Sequence, residues 1–230
     1  MNHQACLPHS ESPFVWGMGM IFLGFDPRGV SGVSVLRLPA HGPATAVVGS
    51  VRSVDDAVDW AVRQCRDETP RAAGIDTFLC WSTERSGWRP MDVMLRNAFP
   101  DVQASVLSSN SAYGAMAVQG MAIALRLKER WPDVLLNETH PKVLYYAMTS
   151  KNYTRDDIPT MTAWLQQQFR PRVECVIRDE HQWDALISAW ATWQGFSGKW
   201  IADLVADLGG TRLLLPVGQV SYYWPNVIQA

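Results

Sequence analysis

The chain has 230 residues, of which 47% are hydrophobic and 18% are charged, and its formal net charge is −2. This composition excludes a disordered, collagen-like or coiled-coil protein and predicts a globular domain with a sizeable core. A near-neutral charge also argues against attachment to nucleic acid or to an anionic membrane by bulk charge alone, so a polyanion would have to be bound at a local site.

Residues 1–18 are predicted to form a loose N-terminal arm, because they contain Pro8 and Pro13 and show little hydrophobic pattern. Residues 19–230 are predicted to form a single domain, since no internal repeat or low-complexity tract marks a boundary. No uninterrupted apolar run reaches the ~20 residues of a membrane span, and the four cysteines show neither zinc nor redox spacing. We therefore expect a cytoplasmic protein without a membrane segment.

Three strands are predicted near the start of this domain. The sequence MIFLGFD, residues 20–26, is an apolar run that ends in Asp26, and the breakers Pro27 and Gly29 separate it from a second apolar run, VSGVSVLRL. This pattern predicts a hairpin with an aspartate at its turn end. Residues 46–51 predict a third strand.

A helix is predicted over residues 54–65, because their apolar side chains recur at helical spacing and Ser53 with Asp56 forms a capping pair. The sequence AAGIDTFLCW, residues 72–81, then predicts a short buried strand that carries Asp76. Since a helix that links two neighbouring strands implies a crossover connection, this strand is expected to run parallel to the first.

The rest of the chain is predicted to be mainly helical. VLLNETHPKV predicts one more strand, which ends at Glu138, and HQWDALISAWATWQ predicts a strong final helix capped by Asp179. One or two edge strands are expected after Gly209 and Gly210. The other helices are predicted over residues 91–98, 112–130, 140–150 and 155–169.

In this order the elements predict an α/β fold, in which a hairpin and a third strand are followed by parallel strands in one mixed sheet, with helices on both faces. Carboxylates fall at comparable places along it. Asp26 ends the first strand, Asp76 lies in the strand after the crossover, Glu138 ends the next strand, and Asp184 lies in the first turns of the last helix. Strand ends at a switch in strand order are where ligands commonly bind in such sheets.

These four acids predict a site for divalent metal ions. A charged aspartate within an apolar run such as GFDPRG or GIDTFL needs compensation, because a buried charge is costly without a partner. Converging carboxylates repel one another, a pair of divalent cations would resolve that repulsion, and all-oxygen ligands favour Mg²⁺ or Mn²⁺ over zinc. A single strand-end aspartate is more often a turn former or a helix cap, so the hypothesis depends on the four together.

Four segments, GFDPRGVSGVSVL, AAGIDTFLCW, NETHPKV and HQWDALISAW, together resemble a bacterial and archaeal domain-of-unknown-function family of predicted RNase H-like nucleases. The shared motifs are G-x-D, I-D-x-x-L, E-x-H-P and D-A-L-x-x-A, and the resemblance spans about residues 20–225. It implies an RNase H-like mixed sheet and places the metal ligands and catalytic acids at the four carboxylates, Asp26, Asp76, Glu138 and Asp184. Two departures from the family pattern are Thr77 with Phe78, where the family has a small residue and proline, and Val217, where it has glutamate.

Three further residues are candidates for binding the substrate. Arg28 directly follows the Asp26 turn and could face a phosphate. His140 could orient a water, act as a base, or cap the following helix, whose first turn suits Pro141. Lys142 could contact a phosphate or be an ordinary exposed lysine. The basic residues Lys151, Arg155, Arg170, Arg172 and Arg178 could form an electropositive rim or simply a solvated face.

The leading hypothesis is a nuclease that hydrolyses phosphodiester bonds of nucleic acid with two divalent ions, Mg²⁺ or Mn²⁺. One alternative is a nucleotide-binding phosphotransferase or ATPase of the same sheet class, suggested by D-x-x-G after the first strand. Another is a non-catalytic binding protein that retains the acids, which carboxylates of Asp26 and Asp184 more than about 10 Å apart would favour. The sequence does not distinguish DNA from RNA, endo from exo action, or one oligomeric state from another.

Overall fold

A computed structural model of the chain describes residues 19–109, 114–169, 173, 175–208, 210 and 213–226. The predicted arm over residues 1–18, together with Arg170 and Arg172 of the predicted basic rim, lies outside the described residues. Within them, no helix is both long enough and apolar enough to cross a membrane.

The described residues form short strands and mostly longer helices. The strands are β1 (Met20–Asp26), β2 (Ser31–Leu38), β3 (Thr45–Val51), β4 (Ala72–Ile75), β5 (Trp81–Ser82), β6 (Leu135–Glu138), β7 (Ala202–Asp203), β8 (Leu213–Leu214) and β9 (Tyr223–Trp224). The helices are α1 (Val54–Cys65), α2 (Pro90–Ala98), α3 (Gly114–Arg130), α4 (Pro141–Thr149), α5 (Ile158–Gln168), α6 (Glu180–Phe196) and α7 (Leu204–Leu208), with 3-10 helices at Pro100–Ser105 and Arg155–Asp157.

The central sheet has five strands in the order β3-β2-β1-β4-β6. The first three are antiparallel neighbours, whereas β4 pairs parallel with β1, and β6 pairs parallel with β4. Helix α6 covers one face of this sheet, while α1 and α3 pack together on the other. The predicted fold class is therefore confirmed, including the order of antiparallel and parallel strands and the helices on both faces.

Side chains of β1 alternate between the two faces, as the pleat of a strand requires. Phe22 belongs to the core under α6, and Leu23 and Phe25 belong to the core under α1 and α3. Asp26 has the same parity as Phe22 and therefore emerges on the α6 face, where its carboxylate meets His181. The alternation thus directs the strand-end aspartate toward the helix that carries Asp184.

Helix α6 lies directly against the backbone of the sheet. A Cβ atom at Gly24 would stand 1.9 Å from the carbonyl oxygen of Ala185, and one at Gly74 would stand 2.3 Å from that of Ser188. The Ser34 hydroxyl also donates to the Ala185 carbonyl at 2.8 Å. Because glycine brings no side chain between the two layers, the backbone of α6 rests on β1 and β4.

Replacing Gly24 with alanine is expected to destabilise the fold and to displace α6. The added methyl group would overlap main-chain atoms, and overpacking of this kind costs about 1–3 kcal/mol or more. Denaturant unfolding would measure the loss. The same change at Gly29, where a Cβ meets no atom within 4 Å, is the control. Equal stabilities of the two variants would contradict the close approach of α6.

Most predicted helices are confirmed, with their caps. The backbone N–H of Asp56 donates to the Ser53 hydroxyl at 3.0 Å, and that of Gln182 donates to the Asp179 carboxylate at 2.9 Å. The strand predicted over residues 72–81 is shorter in the structure, because the chain turns after β4, where the N–H of Thr77 donates to the carbonyl of Ile75.

The predicted C-terminal edge strands are also shorter than expected. β8 and β9 pair with β5 and β7 outside the central sheet. Ser221 adds to the free edge of β6 through hydrogen bonds to the backbone of Leu136 and Glu138. Ser221 therefore lies beside the end of β6 that carries Glu138.

Candidate metal centre

Three aspartates from three elements meet at the end of the parallel strands. Asp26 ends β1, Asp76 directly follows β4, and Asp184 lies in the second turn of α6. Each is at most 6% exposed, and one ligand oxygen from each lies within 4.8 Å of the others. The strands bring the first two together because Phe25 is in register with Ile75, and the N–H of Asp76 donates to the Phe25 carbonyl at 2.9 Å.

The Asp184 carboxylate is fully buried, and neither of its oxygens makes a well-aligned hydrogen bond within the described part of the chain. The Tyr153 hydroxyl lies near it, and burial together with the negative charge of Asp184 raises the pKa of Tyr153. Buried acceptors without partners are rare and costly. Burial raises the pKa of Asp184 well above its usual range, and the nearby Asp26 raises it further. The pKa of Asp76 is raised for the same two reasons.

The donor set fits a hard divalent cation. Carboxylate oxygens are the ligands that Mg²⁺ and Mn²⁺ prefer, and a bound cation would replace the protons that the raised pKa values imply. The unpartnered oxygens of Asp184 are the structural observation that such an ion would satisfy. The three aspartates could therefore hold a metal ion.

An imidazole and a guanidinium stand beside Asp26. His181 Nδ1 lies 2.6 Å from one oxygen, and Arg28 Nε lies 3.3 Å from the other. The hydrogen bond to Asp26 raises the pKa of His181. His181 Nε2 points toward Glu180, whose Oε1 is 3.9 Å away. Arg28 was predicted from the sequence, whereas His181 was not. His181 lies three residues before Asp184, and this spacing places His181 and Asp184 on one face of α6.

Glu138 does not join the three aspartates. It pairs in register with Ile75, whose side chain belongs to the core under α1 and α3, so the pleat turns Glu138 away from α6. The next residue, Thr139, occupies the α6 side instead, with its hydroxyl 2.8 Å from that of Ser188. A one-residue difference in register thus separates Glu138 from the aspartates.

The Glu138 carboxylate is instead held by Arg89, which is 1% exposed. Arg89 donates through Nη2 to Oε1 at 2.6 Å and through Nη1 to Oε2 at 2.8 Å. It also donates twice to Asp92, at 2.9 and 2.7 Å, and the N–H of Leu79 donates to Glu138 at 2.8 Å. Burial alone would lower the pKa of Arg89, but Glu138 and Asp92 outweigh it and raise that pKa. This network accounts for the oxygens of Glu138 without a metal ion.

The three proposed substrate-binding residues, Arg28, His140 and Lys142, line one cavity of about 810 Å³ that adjoins Asp76. His140 occupies the N-cap position of α4, where its carbonyl accepts from the N–H of Leu144 at 2.9 Å, while its side chain makes no capping hydrogen bond. Its Nε2 lies 3.0 Å from the Ser105 carbonyl, and its Nδ1 lies 3.8 Å from Asp76. Burial lowers the pKa of His140 to about 4, so the ring is neutral at pH 7 and Nε2–H is the donor to Ser105.

The predicted basic rim is only partly described. Lys142 Nζ lies 5.2 Å from the centroid of the Tyr153 ring, and Arg155 Nε lies 2.7 Å from the Glu180 carboxylate. Lys151 and Arg178 are exposed. Lys142 and Arg155 also line the cavity that adjoins Asp76.

Fold and site together define an α/β protein with a buried three-aspartate centre that could hold a metal ion. Among solved structures, the Thermus thermophilus RuvC structure is similar, with a TM-score of 0.46 and 13% sequence identity over 78% of this chain and 97% of that chain. No protein-family model and no curated protein matches the chain. Membership in the nuclease family that the sequence resembles stays a prediction.

Proposed function

We propose that the protein is a nuclease that hydrolyses phosphodiester bonds of nucleic acid with divalent ions, Mg²⁺ or Mn²⁺. The observation that carries this proposal is the convergence of three buried aspartates, of which Asp184 has two unpartnered oxygens. A stable fold would not need such a cluster, whereas buried like charges with raised pKa values are typical of functional sites.

Asp26, Asp76 and Asp184 would hold the metal. Bound there, divalent ions would supply Lewis acidity and activate water for attack on a phosphodiester. His181 holds a proton on Nδ1 against Asp26 and presents Nε2 at the edge of the site, where it can accept a proton. Its partly exposed ring makes it the candidate for proton transfer.

Arg28 and Lys142 would bind the substrate phosphate. Both line the cavity beside Asp76, and Arg28 Nε also lies 3.3 Å from the Asp26 carboxylate. A chain with a net charge of −2 attracts polyanions weakly at long range, so local cations must supply the contact. We therefore expect weak binding that depends on the metal.

One finding bears on the alternative of a non-catalytic scaffold. A separation of more than about 10 Å between the Asp26 and Asp184 carboxylates would have favoured it, whereas ligand oxygens of the two lie within 4.8 Å. Shared ligation of one ion is therefore compatible with the geometry, and we prefer the nuclease hypothesis to the non-catalytic scaffold.

Cleavage of labelled single-stranded, duplex, hybrid and branched substrates in Mg²⁺ or Mn²⁺ tests the proposal. Asp26→Asn is expected to lower the rate by more than about 100-fold, because it removes a metal ligand. The control is Asp59→Asn, the same change at an exposed aspartate on α1, and should leave the rate unaltered. Absence of cleavage by the unaltered protein, or equal rates in Asp26→Asn, would refute the proposal.

A further inference from the structure

The cavity beside Asp76 is large enough for more than a phosphate. Its volume of about 810 Å³ lies within the range of about 300–1,000 Å³ that is typical of small-molecule sites. Three segments line it. The loop after β4 contributes Phe78, the segment after the 3-10 helix Pro100–Ser105 contributes Val106 and Leu107, and the start of α3 contributes Met116 and Gln119.

Part of the lining of this cavity is apolar, and the amide of Gln119 lies beside it. Phe78, Val106, Leu107 and Met116 provide aromatic and aliphatic surface. The half-buried Gln119 side chain makes no hydrogen bond to the rest of the described chain, so both its donor and its acceptor are available. Apolar and aromatic surface beside an unused amide suits a nucleobase, which stacks on apolar surface and is recognised along its polar edge.

Charge is distributed unevenly around the cavity. Asp92 and Glu138 line it and share one cation, Arg89, so this buried trio has a formal charge of −1. The cationic side chains of Arg28, Lys142 and Arg155 also line it. One of these, Arg28, stands at the three-aspartate centre, with its Nε 3.3 Å from the Asp26 carboxylate. The arrangement fits a ligand with an anionic group toward the aspartates and an uncharged aromatic body inside, which describes a nucleotide.

We infer that this cavity binds one unpaired nucleobase of a nucleic acid, with the adjoining phosphate at the three-aspartate centre. A paired base cannot enter it, because bases inside a duplex are stacked and must be unpaired or extruded to reach a pocket. The inference rests on the proposed nuclease function and narrows its substrate to nucleic acid with an unpaired nucleotide at the bound position.

Binding of two matched duplexes tests the inference without requiring cleavage. One carries a single unpaired nucleotide and the other is fully paired, each made as DNA and as RNA, and fluorescence anisotropy in Ca²⁺ gives the dissociation constants. The protein is expected to bind the first about 10-fold more tightly, as for stacking of one base. Gln119→Trp, which fills the cavity, should reduce this preference to less than about 2-fold.

Two further variants make the result specific. Val118→Trp places the same bulk on the neighbouring residue of α3, which is 62% exposed, and should retain the full preference. Gln119→Leu removes only the amide and should lower the preference by about 2-fold to 10-fold, as expected for one hydrogen bond.

Equal affinity for the two duplexes, or equal losses in Gln119→Trp and Val118→Trp, would overturn the inference. Cleavage assays in Mg²⁺ on the same duplexes test the nuclease function separately from the nucleobase pocket. Cleavage with no preference for the unpaired nucleotide rejects the pocket and supports the nuclease, whereas preference without any cleavage supports the pocket and rejects the nuclease.

Discussion

Replacing Asp184 with asparagine is expected to raise the free energy of unfolding of the metal-free protein at neutral pH, and to abolish its stabilisation by Mg²⁺ or Mn²⁺. Asp184 is buried next to Asp26 and Asp76 without a hydrogen-bond partner, so an uncharged side chain of the same shape relieves desolvation and repulsion. The same change removes a ligand of the proposed ion. Gain of stability with loss of metal response is the signature of a binding residue.

The gain in free energy of unfolding from Asp184→Asn should grow as the pH rises. An unfolded aspartate has a pKa of about 3.9, and in the folded protein burial raises the pKa of Asp184 well above that value. Between the two pKa values the folded chain keeps a proton that the unfolded chain has released, so stability falls as pH rises. Below about pH 4 both states are protonated and the difference between the two proteins is constant.

Denaturant unfolding of both proteins between about pH 4 and 8, in chelator and in Mg²⁺, measures these effects. Metal at 100 times its dissociation constant should stabilise the unaltered protein by about 2.7 kcal/mol and leave Asp184→Asn unaffected. Asp59→Asn, at an exposed site, provides the reference for a lost surface charge. A pH-independent difference, or equal stabilisation of both proteins by metal, would show that Asp184 is not part of an ion site.

Replacing Arg89 with methionine is expected to have the opposite effect on stability. Arg89 is the cation between two buried carboxylates, Glu138 and Asp92, and removal of one partner from a buried ion pair costs about 3–5 kcal/mol. In a domain of this size the melting temperature should fall by about 6–20 °C. Stabilisation by metal should persist, because Glu138 lies outside the three-aspartate cluster.

Arg126 offers the matched control for this prediction. It also pairs with two acids, Asp55 and Glu129, but its side chain is 52% exposed. Surface ion pairs contribute little to stability, so Arg126→Met should leave the melting temperature nearly unchanged. Similar melting temperatures for the two variants would mean that the Arg89 network is not structurally important, and a lost metal response in Arg89→Met would assign Glu138 to the ion site.

The central sheet could be predicted because its signals are local. Apolar runs with breakers defined the hairpin, helical spacing defined α1, and the connection through α1 implied that β4 runs parallel to β1. The short strands β5 and β8 could not be predicted, because each has two residues and is held by a partner far away in the sequence. Periodicity carries no information over so short a length.

A residue of the candidate site could be predicted only where the pattern of its own strand or helix indicates which face its side chain occupies. Asp26 and Asp76 face α6 by alternation along their strands, and Asp184 faces them from α6. Glu138 ends a strand in the same way, but its direction depends on pairing with Ile75, which no local pattern specifies. His181 had a local signal in its spacing from Asp184. Arg89 had none, because its partner Glu138 is brought to it only by the fold.

The contact of α6 with the sheet has a consequence for how this centre could be altered. At Gly24 and Gly74 main-chain atoms, rather than side chains, set the height of the helix above β1 and β4. We therefore expect the distance between Asp184 and the two strand aspartates to change little when side chains of the aromatic core on the same face are replaced. A redesigned core with different side chains should keep the ligand spacing as long as positions 24 and 74 remain glycine. In this scaffold the spacing of the three aspartates depends on the backbone of α6 and the sheet more than on the side chains of the interior.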